Sequence, residues 1–151
     1  MILRSSVAHG RIRRIDGTGA LNLPGVRAVI TARDLGPDVP RIPLRLQSLP
    51  ELEPFRQPML ADGKVRFVGE PMAVIVAESA AIAEDALELI EVDIESLPAV
   101  TGRVDAEATK AILFEAHGSN VSIGWTAVRG DQIPQGPRPA SRGQLCAHAI
   151  L

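Results

Sequence analysis

Lys64-Val65-Arg66-Phe67-Val68, Gly69-Glu70-Pro71 and Met72-Ala73-Val74-Ile75-Val76-Ala77 follow one another without a gap, and their reading decides the fold. The last run is apolar throughout. A strand that does not alternate is covered on both faces, so Met72–Ala77 is expected at the centre of a sheet. Arg66 marks the first run as partly exposed. Between them Gly69 supplies an unusual backbone angle and Pro71 enters a strand without offering a ladder donor, which predicts a strand, tight turn, strand hairpin. Glu70 has no part in that explanation.

Working towards the C-terminus, Ser79 is a suitable N-cap for a helix at about 79–90, with Ile82, Ala83, Ala86, Leu87 and Ile90 on one face and Glu84, Asp85 and Glu88 on the other. Glu91-Val92-Asp93-Ile94-Glu95 then changes to period two, with Val92 and Ile94 inward, until Leu97-Pro98 ends the strand. Ala61 to Val100 is therefore a strand, turn, strand, helix, strand unit of an α/β domain. Beyond Val100 the pattern weakens to a loose helical turn within 105–110 and extended candidates at 112–114 and 121–125. From about Gly130 the chain is rich in Pro, Gly, Gln and Arg, an irregular tail that buries too little to offset its ordering.

Towards the N-terminus, Val26–Thr31 has the β-branched content of a strand, and Arg11–Asp16 reads as a strand with one wet side, ended by Gly17-Thr18-Gly19. Ala20 and Leu21 begin a helical turn closed by Pro24-Gly25, and Asp34 starts another turn. Pro37, Pro40, Pro43, Pro50, Pro54 and Pro58 make the stretch between Gly36 and Pro58 a long surface loop.

With 151 residues the chain supports one ordinary core. Three Phe, one Trp and no Tyr leave that core to Val, Ile, Leu and Ala. Sixteen Lys and Arg against 18 Asp and Glu provide no excess positive charge for a nucleic acid or an anionic membrane. Cys146 stands alone, which excludes an internal disulfide and fits a reducing cytoplasm. No apolar run approaches the roughly 20 residues of a membrane helix, and the first residues lack the layout of a signal peptide.

Candidate sites are few. His9, His117 and His148 have no metal-ligand spacing. The acids Glu84, Asp85, Glu88, Glu91, Asp93 and Glu95 fall on the polar faces set by the periodicity, where solvation explains them. Asp16-Gly17-Thr18-Gly19 lacks the third glycine of a dinucleotide loop and the Gly-Lys-Ser/Thr of a phosphate loop, so a plain turn is expected. No GxSxG elbow is present, and Cys146 lies in the tail. Only Gly69-Glu70-Pro71 exceeds its structural explanation.

The blocks LRSSVAHGRIRRID, LPGVRAVITARDL, LADGKVRFVGEPMAVIVAES, AEDALELIEVDIESLPAV and HGSNVSIGW resemble, in order and spacing, the N-terminal part of the molybdenum-binding large subunits of the xanthine dehydrogenase, aldehyde oxidase and carbon monoxide dehydrogenase family. The resemblance implies an α/β hammerhead domain of the α+β type over 1–131, a mixed β-sheet with its packed helix. It implies a scaffold that meets the molybdopterin-binding region, in enzymes that hydroxylate aldehydes or heteroaromatic rings, or oxidise CO, and pass electrons to iron-sulfur (2Fe-2S) and FAD modules or subunits. Those catalytic segments lie downstream in the family, so no catalytic, cofactor or metal residue is carried over to this chain, and Gly69, Glu70 and Pro71 become a candidate interdomain contact. Two departures are notable: Ser6-Val7-Ala8-His9 stands where relatives have Ser-Pro-His-Ala-His, and a leading strand looks clipped before Met1. The tail 132–151 reads as out of frame. The alternative function is a non-catalytic module that associates with itself as a homo-oligomer.

Overall fold

A computed structural model describes residues 1–43, 49–108 and 111–126, together with the backbone strand 142–146. The chain divides into two compact units, one made of Met1–Arg45 and Arg56–Ala99, the other of Leu46–Phe55 and Val100–Leu151.

In the first unit the order is β1 (Ile2–Arg4), β2 (Gly10–Asp16), α1 (Thr18–Leu21), β3 (Val26–Thr31), a short 3-10 turn (Ala32–Leu35), β4 (Lys64–Val65), β5 (Pro71–Ala77), α2 (Ala80–Glu88) and β6 (Glu91–Ser96). These strands form two three-stranded sheets, β1-β5-β3 and β4-β2-β6, and each pairing is antiparallel. The expected α+β class holds, with the sheet split in two. The expected hairpin does not form: β4 pairs with β2 while β5 lies between β1 and β3. Five residues separate β4 from β5, and Gly69, with φ +91°, turns the chain out of one sheet and into the other. β5 is central, as its unbroken apolar run requires.

The helix follows its periodicity closely. Ser79 Oγ accepts the Ile82 amide at 3.2 Å, Ala83, Ala86 and Ile90 are buried, and Glu84, Asp85 and Glu88 face solvent. The buried face packs on Ala20 of α1 and Ile75 of β5, joined by Leu3, Val26, Val29 and Ala77 from the inward side of the first sheet. A second cluster, Ala61, Val65 and Met72, is lined by Val7, Ile12, Val92 and Ile94 of the second sheet and its approach. Each fully buried aliphatic side chain contributes roughly 1.5–3 kcal/mol. Glycine permits the close approach of α1 to the end of α2, because a Cβ on Gly19 would stand 2.8 Å from the Leu89 carbonyl oxygen.

The second unit contains a 3-10 turn (Pro50–Phe55), α3 (Arg103–Glu107), a second turn (Glu115–His117) and the antiparallel pair β7 (Val121–Thr126) and β8 (Arg142–Cys146). Its polar centre is Asn120, 1% exposed: Oδ1 accepts the Leu113 amide at 3.0 Å, and Nδ2 donates to the carbonyls of Ala106 at 3.2 Å and Ala111 at 2.7 Å. Phe55 meets Phe114 and His117 edge-on, with ring centroids 5.1 and 4.5 Å apart. Residues 112–114, an extended candidate in the sequence, form no strand, whereas 142–146, assigned there to an irregular tail, pair with β7. The rest of 132–151 lies outside the described residues, as does the question of reading frame.

Candidate interdomain contact

Of the three singled-out residues, Glu70 is the one the fold hides. It is 1% exposed. Its Oε2 accepts the backbone N–H of Arg66, at the far end of the turn, and the Phe67 amide adds a further stabilising bond. The main chain on both sides is tied to the strand neighbouring β5: the Ser5 amide donates to the Glu70 carbonyl at 2.9 Å, the Gly69 amide to the Ser5 carbonyl at 2.7 Å, and Arg4 Nη1 to the Gly69 carbonyl at 2.8 Å. The carboxylate thus fastens a five-residue turn from within. Burial pushes its pKa above the ordinary glutamate value, against the opposing pull of the Arg66 amide, the Arg66 charge and the Phe67 amide. Oε1 is buried and has no hydrogen-bond partner among the described residues.

The outer side of the same turn is open. A Cβ on Gly69 would meet nothing within 4 Å, and Val68 is 63% exposed. Pro71 is the first residue of β5, opposite Arg4. Val68-Gly69 is thus the open part of the turn, and Glu70 holds it in shape.

The remaining candidates keep structural roles. His9 is 4% exposed; Nδ1 donates to the Pro98 carbonyl at 2.7 Å, which fixes the chain leaving β6, and Nε2 is buried with no partner among the described residues. His117 is exposed beside Phe55, and His148 lies outside the described residues. Asp16 Oδ1 accepts the Thr18 amide at 2.9 Å and its hydroxyl at 2.6 Å, a turn that opens α1, and these bonds lower the Asp16 pKa. Glu95 pairs with Arg11 at 3.6 Å and Arg13 at 3.4 Å across the solvated side of the second sheet. Of Cys146 only the backbone is described, in β8.

Whether these residues fit a pterin or metal is a question of donors and room. Among the described residues no three of His, Cys, Asp and Glu gather to hold a metal ion. A pocket of about 130 Å³ lined by Ile12, Ile15, Thr31, Ala32, Ala61 and Gly63, among others, is well below the ~300–1,000 Å³ of ordinary cofactor sites. Among the described residues, neither a cluster of ligating side chains nor that pocket offers such a group a seat.

Residues 1–98 match the sequence model of the family described as aldehyde oxidase and xanthine dehydrogenase, a/b hammerhead domain. The chain is 41% identical over 105 residues to the carbon monoxide dehydrogenase large chain of Hydrogenophaga pseudoflava, a match covering 70% of this chain and 12% of that one. The crystal structure of quinoline 2-oxidoreductase from Pseudomonas putida 86 superposes with a TM-score of 0.69 at 40% identity, over 83% of this chain and 16% of that one. A Cu,Mo-CO dehydrogenase structure gives 0.61 at 38%, over 75% and 14%. The chain thus spans only a small part of the length of these relatives. From the match over 1–98 and the shared architecture, the chain belongs to the a/b hammerhead domain family of aldehyde oxidase and xanthine dehydrogenase.

Proposed function

We propose that this chain is the scaffold portion of a molybdenum hydroxylase large subunit, a truncated or stand-alone hammerhead domain whose chemistry is completed by the remaining molybdopterin-binding region. The observation that carries the reading is the family match over 1–98 combined with coverage of only 12–16% of three relatives. Molybdopterin belongs to the region outside the match, and FAD and 2Fe-2S modules are the electron-accepting partners of the complete oxidoreductase. The cytoplasm is the proposed compartment, consistent with the single cysteine. The Gly69-Glu70-Pro71 turn serves as an interdomain contact, presenting Val68 and Gly69 while Glu70 positions them.

Metal and pterin analysis of the purified chain tests this, together with turnover of CO, an aldehyde and an N-heteroaromatic with an artificial electron acceptor. The expected result is no stoichiometric molybdenum or pterin and no turnover. One molybdenum per chain would overturn the scaffold reading.

A further inference from the structure

The two sheets of the first unit treat their outward sides differently. On the second sheet that side carries charge: Arg11 stands opposite Glu95 and Arg14 opposite Asp93, with Glu95 also reached by Arg13. On the first sheet the register places Ile2 and Ile30 on either side of Val74, and Ala28 beside Val76. Directly opposed residues share a face. The inward positions, Leu3, Val26, Val29, Ile75 and Ala77, pack beneath α2, so Ile2, Ala28, Ile30, Val74 and Val76 face away from it, and none of these five belongs to either buried cluster. Ile2 is 42% and Val76 43% exposed. A central strand apolar on both sides is the pattern of a sheet covered on both sides.

We propose that this outward face of β1-β5-β3 is the seat on which the remainder of the large subunit packs, an inference that rests on the scaffold reading above. The matches cover 12% of the Hydrogenophaga pseudoflava large chain and 16% of the quinoline 2-oxidoreductase chain, so the bulk of each polypeptide is available to supply the covering surface. A five-residue ribbon is far smaller than the ~20 residues per side of a stable association between separate proteins. A segment of the same polypeptide needs no such area, because its covalent tether supplies the effective concentration. The occupant is therefore the neighbouring region that is covalently continuous with the matched segment in the full-length relatives, rather than a second copy.

The test places residues 1–98 into the Hydrogenophaga pseudoflava large chain in exchange for the segment they match. The unsubstituted hybrid is expected to be soluble and monodisperse. Val76→Lys and Ile2→Lys, on different strands, should each lower its soluble yield about tenfold, since a charge is then buried against the neighbour, while Glu84→Lys on the solvated side of α2 should not. In the full 151-residue chain the same two substitutions should leave the circular dichroism spectrum and thermal midpoint unchanged, separating docking from folding. Lysine variants of the hybrid that assemble as well as the parent overturn the proposed face and leave the scaffold reading standing. An unsubstituted hybrid that fails to assemble overturns the scaffold reading, and the face with it. A full chain that light scattering shows to be a dimer, split by Val76→Lys, would assign the face to a second copy and overturn the proposal.

Discussion

An ionised carboxylate 1% exposed destabilises a fold unless backbone amides and charges compensate, and at Glu70 compensation is one-sided: Oε2 is bonded and Oε1 is not. Desolvation outweighs the amides of Arg66 and Phe67, so the folded-state pKa lies above the ordinary 4.5. Between the unfolded and folded values the folded protein holds more protons than the unfolded one, and stability falls as pH rises through that window. Asp16 and Asp34, both lowered, act with the opposite sign below their ordinary 3.8 and do not mask it. Glu70→Gln keeps an acceptor for the Arg66 amide and cannot ionise. Thermal melts from about pH 4 to about pH 8 should show Glu70→Gln gaining on the parent as pH rises. A difference that stays constant across the range would contradict the assignment. Glu70→Ala also leaves the turn amides without their acceptor and is expected to cost about 1–3 kcal/mol in urea denaturation.

At the scale of elements, the outcome depends on whether information is local. Helix α2 was legible because its cap, its apolar stripe and its acidic face lie within a dozen residues, and β6 because Val92 and Ile94 alternate with acids. Removing the cap through Ser79→Ala should cost about 1 kcal/mol, read as a lower urea midpoint with an unchanged slope. Ile75→Ala, at the contact of β5 with α2, should cost about 2–5 kcal/mol. The missing hairpin was not legible for the same physical reason in reverse. β4 and β5 are adjacent in sequence, but their partners are residues 10–11 and residues 2–4 and 26–31, and pairing across such separations leaves no periodic trace. β1 carries only three residues, too few for alternation to show. For the candidate contact, Gly69 was readable as a turn glycine, yet the burial of Glu70 follows from amides four and three residues upstream that curl round its carboxylate, and no residue type announces that.

On the scale of the whole molecule, the division into two units makes a claim about cooperativity. The first unit owns two apolar clusters around Ile75 and Val65; the second centres on Asn120, whose side chain satisfies three backbone groups of its own unit. Removing a buried amide that serves three partners leaves those groups unpaired, and Asn120→Ala should cost the second unit about 1–3 kcal/mol or more. Stability is local where buried contacts are local, so the loss should be confined. Native-state hydrogen exchange then distinguishes the units: Asn120→Ala should accelerate the amides of Ala106 and Leu113 while leaving Ile75 and Ala83 as slow as in the parent. Ile75→Ala should do the reverse. If each substitution accelerated both sets equally, the chain would be unfolding as one cooperative block, and the boundary after Ala99 would have no thermodynamic meaning.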